Sequence, residues 1–291
     1  MNRLKLFGCA AVDADSGPLT GRAAQRHRIA LLSLLSTTRR ASRSRDSLIT
    51  LLWPDANAER GRRLLSDSIY RINRALGDDI VSGNTEEIRI NRSLLSSDVA
   101  DFEMAIESRD WQRAVELYAG PFLEGFFLPG SPEFERWLES ERAHYAHSVA
   151  RAVEALAVAA RDECRVTEAV DWWQRLSLLG PDDSRVTMEL MRAFERAGNR
   201  AAALRHAQLH MAHLHETLGF GPDRGVQELA DAIAARREAP PCAHAALPAT
   251  TTRRQSNNSY FIDGVSDELK NLLTHVLGLR LVKVLPQQFN Q

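Results

Sequence analysis

The chain has 291 residues, of which 44% are hydrophobic and 26% are charged. This composition is typical of a soluble globular protein, and the length suits about two domains. No apolar run approaches the ~18 residues of a membrane span, and Asp13 and Asp15 interrupt the only short apolar stretch at the N-terminus. The three cysteines are scattered, without the spacing of a disulfide framework or a metal site. We therefore expect a cytoplasmic protein with no membrane contact.

The net charge of −1 conceals a division along the chain. Residues 1–97 hold 16 Lys and Arg against 10 Asp and Glu, whereas residues 98–238 hold 16 against 25. A basic N-terminal part followed by an acidic part is typical of a nucleic-acid-binding module joined to a different kind of domain. Any DNA contact is therefore expected within the first hundred residues.

The predicted elements of residues 1–97 follow the order of a winged helix. Alternating apolar residues predict a strand over residues 4–12 and a turn with a short second strand from residue 18. Helical spacing then predicts three helices, over residues 23–35, 44–52 and 56–76. A hairpin is predicted over residues 80–91, around Gly83 and Asn84. In a winged helix the third helix enters the DNA major groove and the hairpin is the wing.

The third predicted helix carries the strongest functional signal. At 100° per residue, one side is an apolar strip of Leu65, Ile69, Ile72 and Leu76. The other side carries the candidate DNA-binding residues Arg60, Arg63, Asp67, Tyr70, Arg71 and Arg74, to which the predicted wing adds Arg89 and Arg92. Arginine contacts phosphates and pairs with guanine in the major groove. The alternative interpretation is an ordinary solvated helix surface.

Residues 98–238 have the pattern of consecutive helices. Three of them resemble halves of 34-residue repeats, and Ala169, Trp173 and Pro181 occupy the alanine, aromatic and proline positions of tetratricopeptide repeats. Such repeats stack around a shared core and offer a concave face to a protein partner. The predicted fold is therefore mainly α with a small β component, with a winged helix-turn-helix over residues 1–97 and a tetratricopeptide-like domain over residues 98–238.

Two stretches of sequence resemble a known family. Residues 122–142 (FLEGFFLPGSPEFERWLESER) closely resemble the hallmark of the bacterial transcriptional activator domain of antibiotic-regulatory-protein regulators. Residues 45–77, with LKLFG and GRAAQRHRIALLSLL before them, resemble the OmpR-type winged helix that precedes this domain there. The resemblance extends over residues 3–237. It implies a sequence-specific DNA-binding activator that contacts RNA polymerase and can form a homodimer, and it adds Arg22 and Gln25 to the DNA contacts.

The C-terminal segment, residues 239–291, is predicted to be separate. It begins with a stretch rich in Ala, Pro, Thr and Ser, which indicates a disordered linker. Residues 260–285 resemble the opening of an α/β module and are too few to bury a core unaided. We interpret the segment as a linker followed by a truncated remnant of that module.

No pattern of catalytic, cofactor or substrate-binding residues is present. The sequence contains no phosphate-binding loop, dinucleotide fingerprint or nucleophile elbow. His206, His210 and His213 share a helix face, with His215 nearby, but no acidic or cysteine ligand joins them with catalytic spacing. We therefore expect no enzyme activity, no cofactor, no metal and no small-molecule substrate.

Two functional hypotheses remain open. The first is a transcriptional activator whose partners are double-stranded DNA and RNA polymerase. The alternative is a tetratricopeptide-like scaffold whose winged helix does not bind DNA. Basic residues gathered on one contiguous face would favour the first.

Overall fold

The computed structural model describes residues 2–14, 17–18, 26–38 and 40–236, and the structural statements below concern these residues. Two of the predicted DNA contacts, Arg22 and Gln25, and the predicted segment 239–291 lie outside them. The described residues are mainly helical, as predicted, and all belong to one compact unit. None of their helices is both long and apolar enough to cross a membrane.

The strands form two small sheets. The strands are β1 Asn2–Lys5, β2 Ala11–Ala14, β3 Gly17–Pro18, β4 Ser42–Ser44, β5 Val81–Gly83, β6 Glu87–Ile90 and β7 Leu95–Ser97. The first sheet has the order β3-β2-β1-β7, in which β1 is antiparallel to β2 and parallel to β7. The second has the order β4-β6-β5 and is antiparallel throughout.

The prediction of one strand over residues 4–12 is wrong. The chain reverses near Gly8, whose φ of +78° is a left-handed conformation that glycine adopts without strain. The two halves then pair with each other, so that Leu4 lies opposite Val12. Leu4, Leu6 and Val12 are all buried. Because both halves of the hairpin place apolar residues in the same core, the sequence has the apolar spacing of a single strand.

The predicted helices are confirmed, with small shifts of their ends. The first three are α1 Arg26–Ser36, α2 Arg45–Leu52 and α3 Ala58–Leu76. The remainder are α4 Asp98–Ser108, α5 Trp111–Leu117, α6 Pro132–Asp162, α7 Val166–Leu179, α8 Ser184–Arg196, α9 Arg200–Leu218 and α10 Arg224–Ala235. From α6 onward each helix packs on the next along the chain.

One continuous core joins the strands of the N-terminal part to α4 and α6. The ring of Phe7 lies 5.1 Å from Phe102 of α4 and 5.3 Å from Tyr145 of α6, both in edge-to-face geometry. Arg142 of α6 donates hydrogen bonds to the carbonyls of Phe122 and Leu123 at 3.0 and 2.7 Å. The resemblance segment 122–142 thus consists of a loop, residues 122–131, and the start of α6, and Arg142 of α6 holds the loop against the helix.

Candidate nucleic-acid interface

Local sequence signals fix both ends of α3. At its start the side chain of Asn57 accepts the N–H of Arg60 at 2.9 Å, and Glu59 lies in the first turn, where a negative charge favours the helix dipole. At its end Gly77 takes a φ of +118°, which side-chain-bearing residues rarely adopt. The resulting helix has 19 residues, or about five turns.

The predicted orientation of α3 is confirmed. Leu65, Ile72 and Leu76 are buried and Ile69 is partly buried, so the apolar strip packs on the core. Gly61 and Ser68 lie on the same buried side. Since residues three and four apart share one face of a helix, the opposite side must point to solvent.

The solvent-facing side of α3 brings together most of the predicted residues. Tyr70 is 61% exposed, and Arg60, Arg63, Asp67 and Arg74 are exposed on the same side. Arg62 is also exposed, but at 100° per residue it lies about 20° from Ile69 and therefore borders the apolar strip rather than this side.

Two of the predicted residues, Asp67 and Arg71, form an ion pair with each other. The Nε atom of Arg71 donates to both carboxylate oxygens of Asp67, at 2.9 and 2.8 Å. This pair is exposed and spaced i,i+4, which is a weakly stabilising arrangement in water. It reduces the positive charge that the helix can present to a phosphate backbone.

The hairpin of β5 and β6 is connected directly to α3. The side chain of Asn73 donates to the carbonyl of Val81 at 2.8 Å and accepts the N–H of Val81 at 2.9 Å. In the turn, the Asn84 side chain accepts the N–H groups of Glu86 and Glu87. This Asx-type turn closes the predicted hairpin and fixes it beside the C-terminal half of α3.

The two predicted hairpin arginines have different surroundings. Arg89 is exposed on β6, and its Nη2 lies 3.5 Å from the carboxylate of Glu87. Arg92 donates to the carbonyls of Ser36 and Thr38, at 3.3 and 2.7 Å. The guanidinium of Arg92 therefore also binds the C-terminal end of α1, a structural use that the sequence did not reveal.

Two further arginines support this region. Arg43 of β4 lies over the Trp137 ring at 5.7 Å and donates to the carbonyl of Leu34 at 3.0 Å. Arg45, the first residue of α2, donates to the carbonyl of Asn84 at 2.6 Å and so contacts the hairpin turn. Their partners are distant in sequence, so nothing in the local pattern distinguishes these residues from free surface arginines.

The histidines of α9 serve packing and hydrogen bonding. His210 is buried between the Pro181 carbonyl, 2.9 Å from Nδ1, and the Ser184 hydroxyl, 3.1 Å from Nε2. His213 lies 2.7 Å from Asp182. Burial lowers the pKa of His206 and favours its neutral form. Within the described part of the chain, no group of three or more His, Cys, Asp or Glu side chains has the arrangement of a metal site.

Comparison with known families finds a match in the helical part. Residues 91–234 match the family model of the bacterial transcriptional activator domain. The match covers the segment 122–142, helices α4 to α9 and residues 224–234 of α10, and it begins a few residues before the predicted domain start at residue 98. It suggests that the chain is a transcriptional regulator, and domains of this family are regulatory rather than enzymatic.

A solved structure shares the fold. The chain is similar to Mycobacterium tuberculosis EmbR in complex with a low-affinity phosphopeptide, with a TM-score of 0.58 and 16% sequence identity. The similarity covers 82% of this chain and 66% of the EmbR chain, so this chain spans less than two thirds of its relative. At this identity the likeness concerns the fold alone. No curated protein sequence matches the chain.

Proposed function

We propose that the chain is a sequence-specific DNA-binding transcriptional regulator. In this proposal residues 1–97 are a winged helix of the OmpR type, α3 is the recognition helix, and the β5–β6 hairpin is the wing. The observation that carries the proposal is the two-sided character of α3. Its back is buried along Leu65, Ile72 and Leu76, while its front exposes Arg60, Arg63, Arg74 and Tyr70.

The geometry of α3 suits the major groove. A recognition helix needs an exposed side with long donor side chains and a rigid attachment to the rest of its domain. Arg63, Tyr70 and Arg74 lie within about 40° of one another around the helix axis at 100° per residue. Their opposite side packs on the core, and Asn73 attaches the hairpin.

We propose that the helices from α4 onward provide the protein contacts of an activator. Residues 98–238 carry 16 Lys and Arg against 25 Asp and Glu, a balance that repels a phosphate backbone. The sequential packing of α6 to α10 supports a tetratricopeptide-like arrangement, and the family match supports contact with the transcription machinery. RNA polymerase and a second copy of the chain are the proposed partners.

Salt-titrated binding of the full chain tests the DNA part of this proposal. We would measure the fluorescence anisotropy of labelled duplex DNA taken from upstream of the neighbouring operon. The variants Arg63→Ala and Arg74→Ala should each lose about 1–3 kcal/mol if the side chain contacts a base. An arginine that contacts only phosphate should instead reduce the salt dependence by about one charge on all sequences.

Arg224→Ala is the matched control. Arg224 is 91% exposed on α10, in the acidic part of the chain, so its loss should leave DNA affinity unchanged. If the two α3 variants bind DNA as tightly as the control, or if the wild-type chain does not bind, the DNA-binding proposal is wrong. The scaffold hypothesis would then replace it.

A further inference from the structure

The helical part contains a cavity whose lining resembles that of a ligand-binding site. A cavity of about 240 Å³ lies where α6 ends, α7 begins and α8 ends. Val166, Ala169 and Ala193 are the apolar residues that line it, and Arg161 and Arg196 are the basic ones. Cys164, an exposed free thiol in the turn between α6 and α7, also lines it.

Arg161 is held in place by carboxylates on two helices. Its Nε donates to Asp162 at 2.9 Å, and its Nη1 lies 3.7 Å from Glu189 of α8. About one third of the side chain is exposed. These carboxylates offset part of the charge of Arg161, but they also fix its guanidinium, which therefore loses little freedom when it binds an anion.

Arg196 supplies the second charge. It is exposed in the last turn of α8 and lines the cavity together with Ala193 of the same helix. The carboxylates nearby are Asp162 and Glu189, and Glu189 is also paired with Arg192, so three arginines stand against two carboxylates. Guanidinium groups form charge-assisted hydrogen bonds with carboxylates and phosphates.

We propose that this cavity binds a small organic anion, either a carboxylate or a phosphate monoester. The anionic group would lie between Arg161 and Arg196, and its carbon skeleton would pack on Val166, Ala169 and Ala193. Pockets for drug-sized ligands measure about 300–1,000 Å³, so a cavity of 240 Å³ suits a small metabolite. The site would make the helical domain responsive to a metabolite, and it does not depend on DNA binding by α3.

A simpler explanation of the two arginines gives a different experimental result. Arg161 and Arg196 lie in the last turns of α6 and α8, where positive charges offset the negative end of the helix dipole. In that case their loss should affect stability alone. An anion would then gain nothing from entering the cavity.

Cys164 allows the two explanations to be separated in the full chain. In a Cys9→Ser, Cys242→Ser background it is the sole thiol, and its alkylation can be followed by mass spectrometry. The ratio of the rates with anionic iodoacetate and neutral iodoacetamide reports the local potential, because thiol reactivity affects both rates equally. Arg196→Gln should lower this ratio by about threefold. Arg205→Gln removes the same charge from an exposed position on α9 outside the cavity and should not lower it.

Protection by ligands tests binding itself. At least one of inorganic phosphate, glycerol phosphate and isovalerate should slow the reaction of Cys164 with iodoacetamide, beyond sodium chloride at matched ionic strength. The half-protecting concentration should rise about tenfold in Arg196→Gln and stay unchanged in Arg205→Gln. Protection by isovalerate alone identifies a carboxylate site, and protection by the two phosphates alone identifies a phosphate site. Absence of protection by all three, or equal protection in Arg196→Gln, overturns the proposal.

Discussion

The carboxylate of Asp98 accepts the backbone N–H of Leu6, at 2.9 Å from both of its oxygens, across 92 residues of sequence. The same carboxylate accepts the N–H groups of Phe7 and Val99, at 3.0 and 2.8 Å. It therefore completes the hydrogen bonds of the chain where β1 ends and α4 begins. The predicted domain boundary between residues 97 and 98 falls immediately before this connection.

Asp98→Asn should destabilise the chain by about 2–4 kcal/mol. An amide places an N–H₂ group opposite backbone N–H donors and leaves at least one of them unpaired in a buried position. Urea denaturation measures the change. Asp101→Asn is the control on the same helix, where a partly exposed ion pair with Arg3 at 3.1 Å should contribute about 1 kcal/mol or less. Equal losses of unfolding free energy in the two variants would show that the buried hydrogen bonds of Asp98 contribute no more than the Asp101 ion pair.

Ile72→Ala should destabilise the chain by about 2–5 kcal/mol, because it removes a buried side chain from the underside of α3 and leaves a cavity. Thermal and urea denaturation in the absence of DNA measure this. Ser66→Ala, on the exposed side of the same helix, should change stability by less than about 0.5 kcal/mol. A loss for Ile72→Ala as small as that of Ser66→Ala would mean that α3 packs loosely and that its orientation is not fixed.

Asp67→Asn should strengthen non-specific DNA binding at low salt. The substitution removes a negative charge from the exposed side of α3 and releases Arg71 from its ion pair. If α3 lies against the phosphate backbone, the slope of log K against log salt should become steeper by about one. Glu228→Gln releases Arg224 of α10 in the same way and should leave the slope unchanged. An unchanged slope in Asp67→Asn would contradict the proposed position of α3 on DNA.

Glu141→Gln should stabilise the chain at pH 7. Burial raises the pKa of Glu141 above its usual 4.5, despite the opposing charges of His144 and Arg43. The folded chain therefore binds a proton more readily than the unfolded chain. This group's contribution favours folding below pH 4.5 and is lost as the pH rises through the folded-state pKa.

The pH dependence distinguishes this effect from a change in packing. The advantage of Glu141→Gln over wild type should shrink as the pH falls toward 4.5, because both side chains are then neutral. Denaturation midpoints at several pH values measure it. Glu139→Gln, which makes the same substitution on the exposed side of α6, is measured alongside as the control. A stability difference for Glu141→Gln that is independent of pH would mean that burial of its charge has no cost.

Much of the fold could be predicted from the sequence, because the apolar residues of a helix recur with its 3.6-residue period. The ends of α2 and α3 follow from Ser44, Pro54, Asn57 and Gly77, which are local signals. The buried strip of α3 follows from the spacing of Leu65 and Ile72. The strands β4 and β7 could not be predicted, since each has three residues and owes its form to a partner far along the chain.

The candidate DNA-binding residues could be predicted only in part, because some arginines have partners that are distant in sequence. Periodicity assigns Arg63 and Arg74 to the exposed side of α3, but it says nothing about the partners of an arginine in a loop. Arg92 binds carbonyls at the end of α1, more than fifty residues earlier in the sequence. Arg43 stacks on Trp137 of α6. Such contacts arise only when the elements are packed together.

Gly61 of α3 provides a final test of how α3 is positioned. A Cβ atom at this position would lie 2.4 Å from Cγ2 of Ile49 in α2, closer than two carbon atoms can approach. Gly61→Ala should therefore push α3 away from α2 and destabilise the chain by about 1–3 kcal/mol, although alanine is the better helix former by about 1 kcal/mol. If α3 reads DNA, the displacement should also weaken DNA binding.

A double-mutant cycle with Ile49→Ala shows whether this close approach is the cause. In the Ile49→Ala background the space beside Gly61 is free, so Gly61→Ala should become neutral or stabilising through its helix propensity. Urea denaturation of the four chains gives the coupling energy, and anisotropy with DNA gives the parallel effect on binding. If Gly61→Ala has the same effect with and without the Ile49 side chain, the contact between α2 and α3 does not set the position of α3. Helix propensity alone would then determine the result.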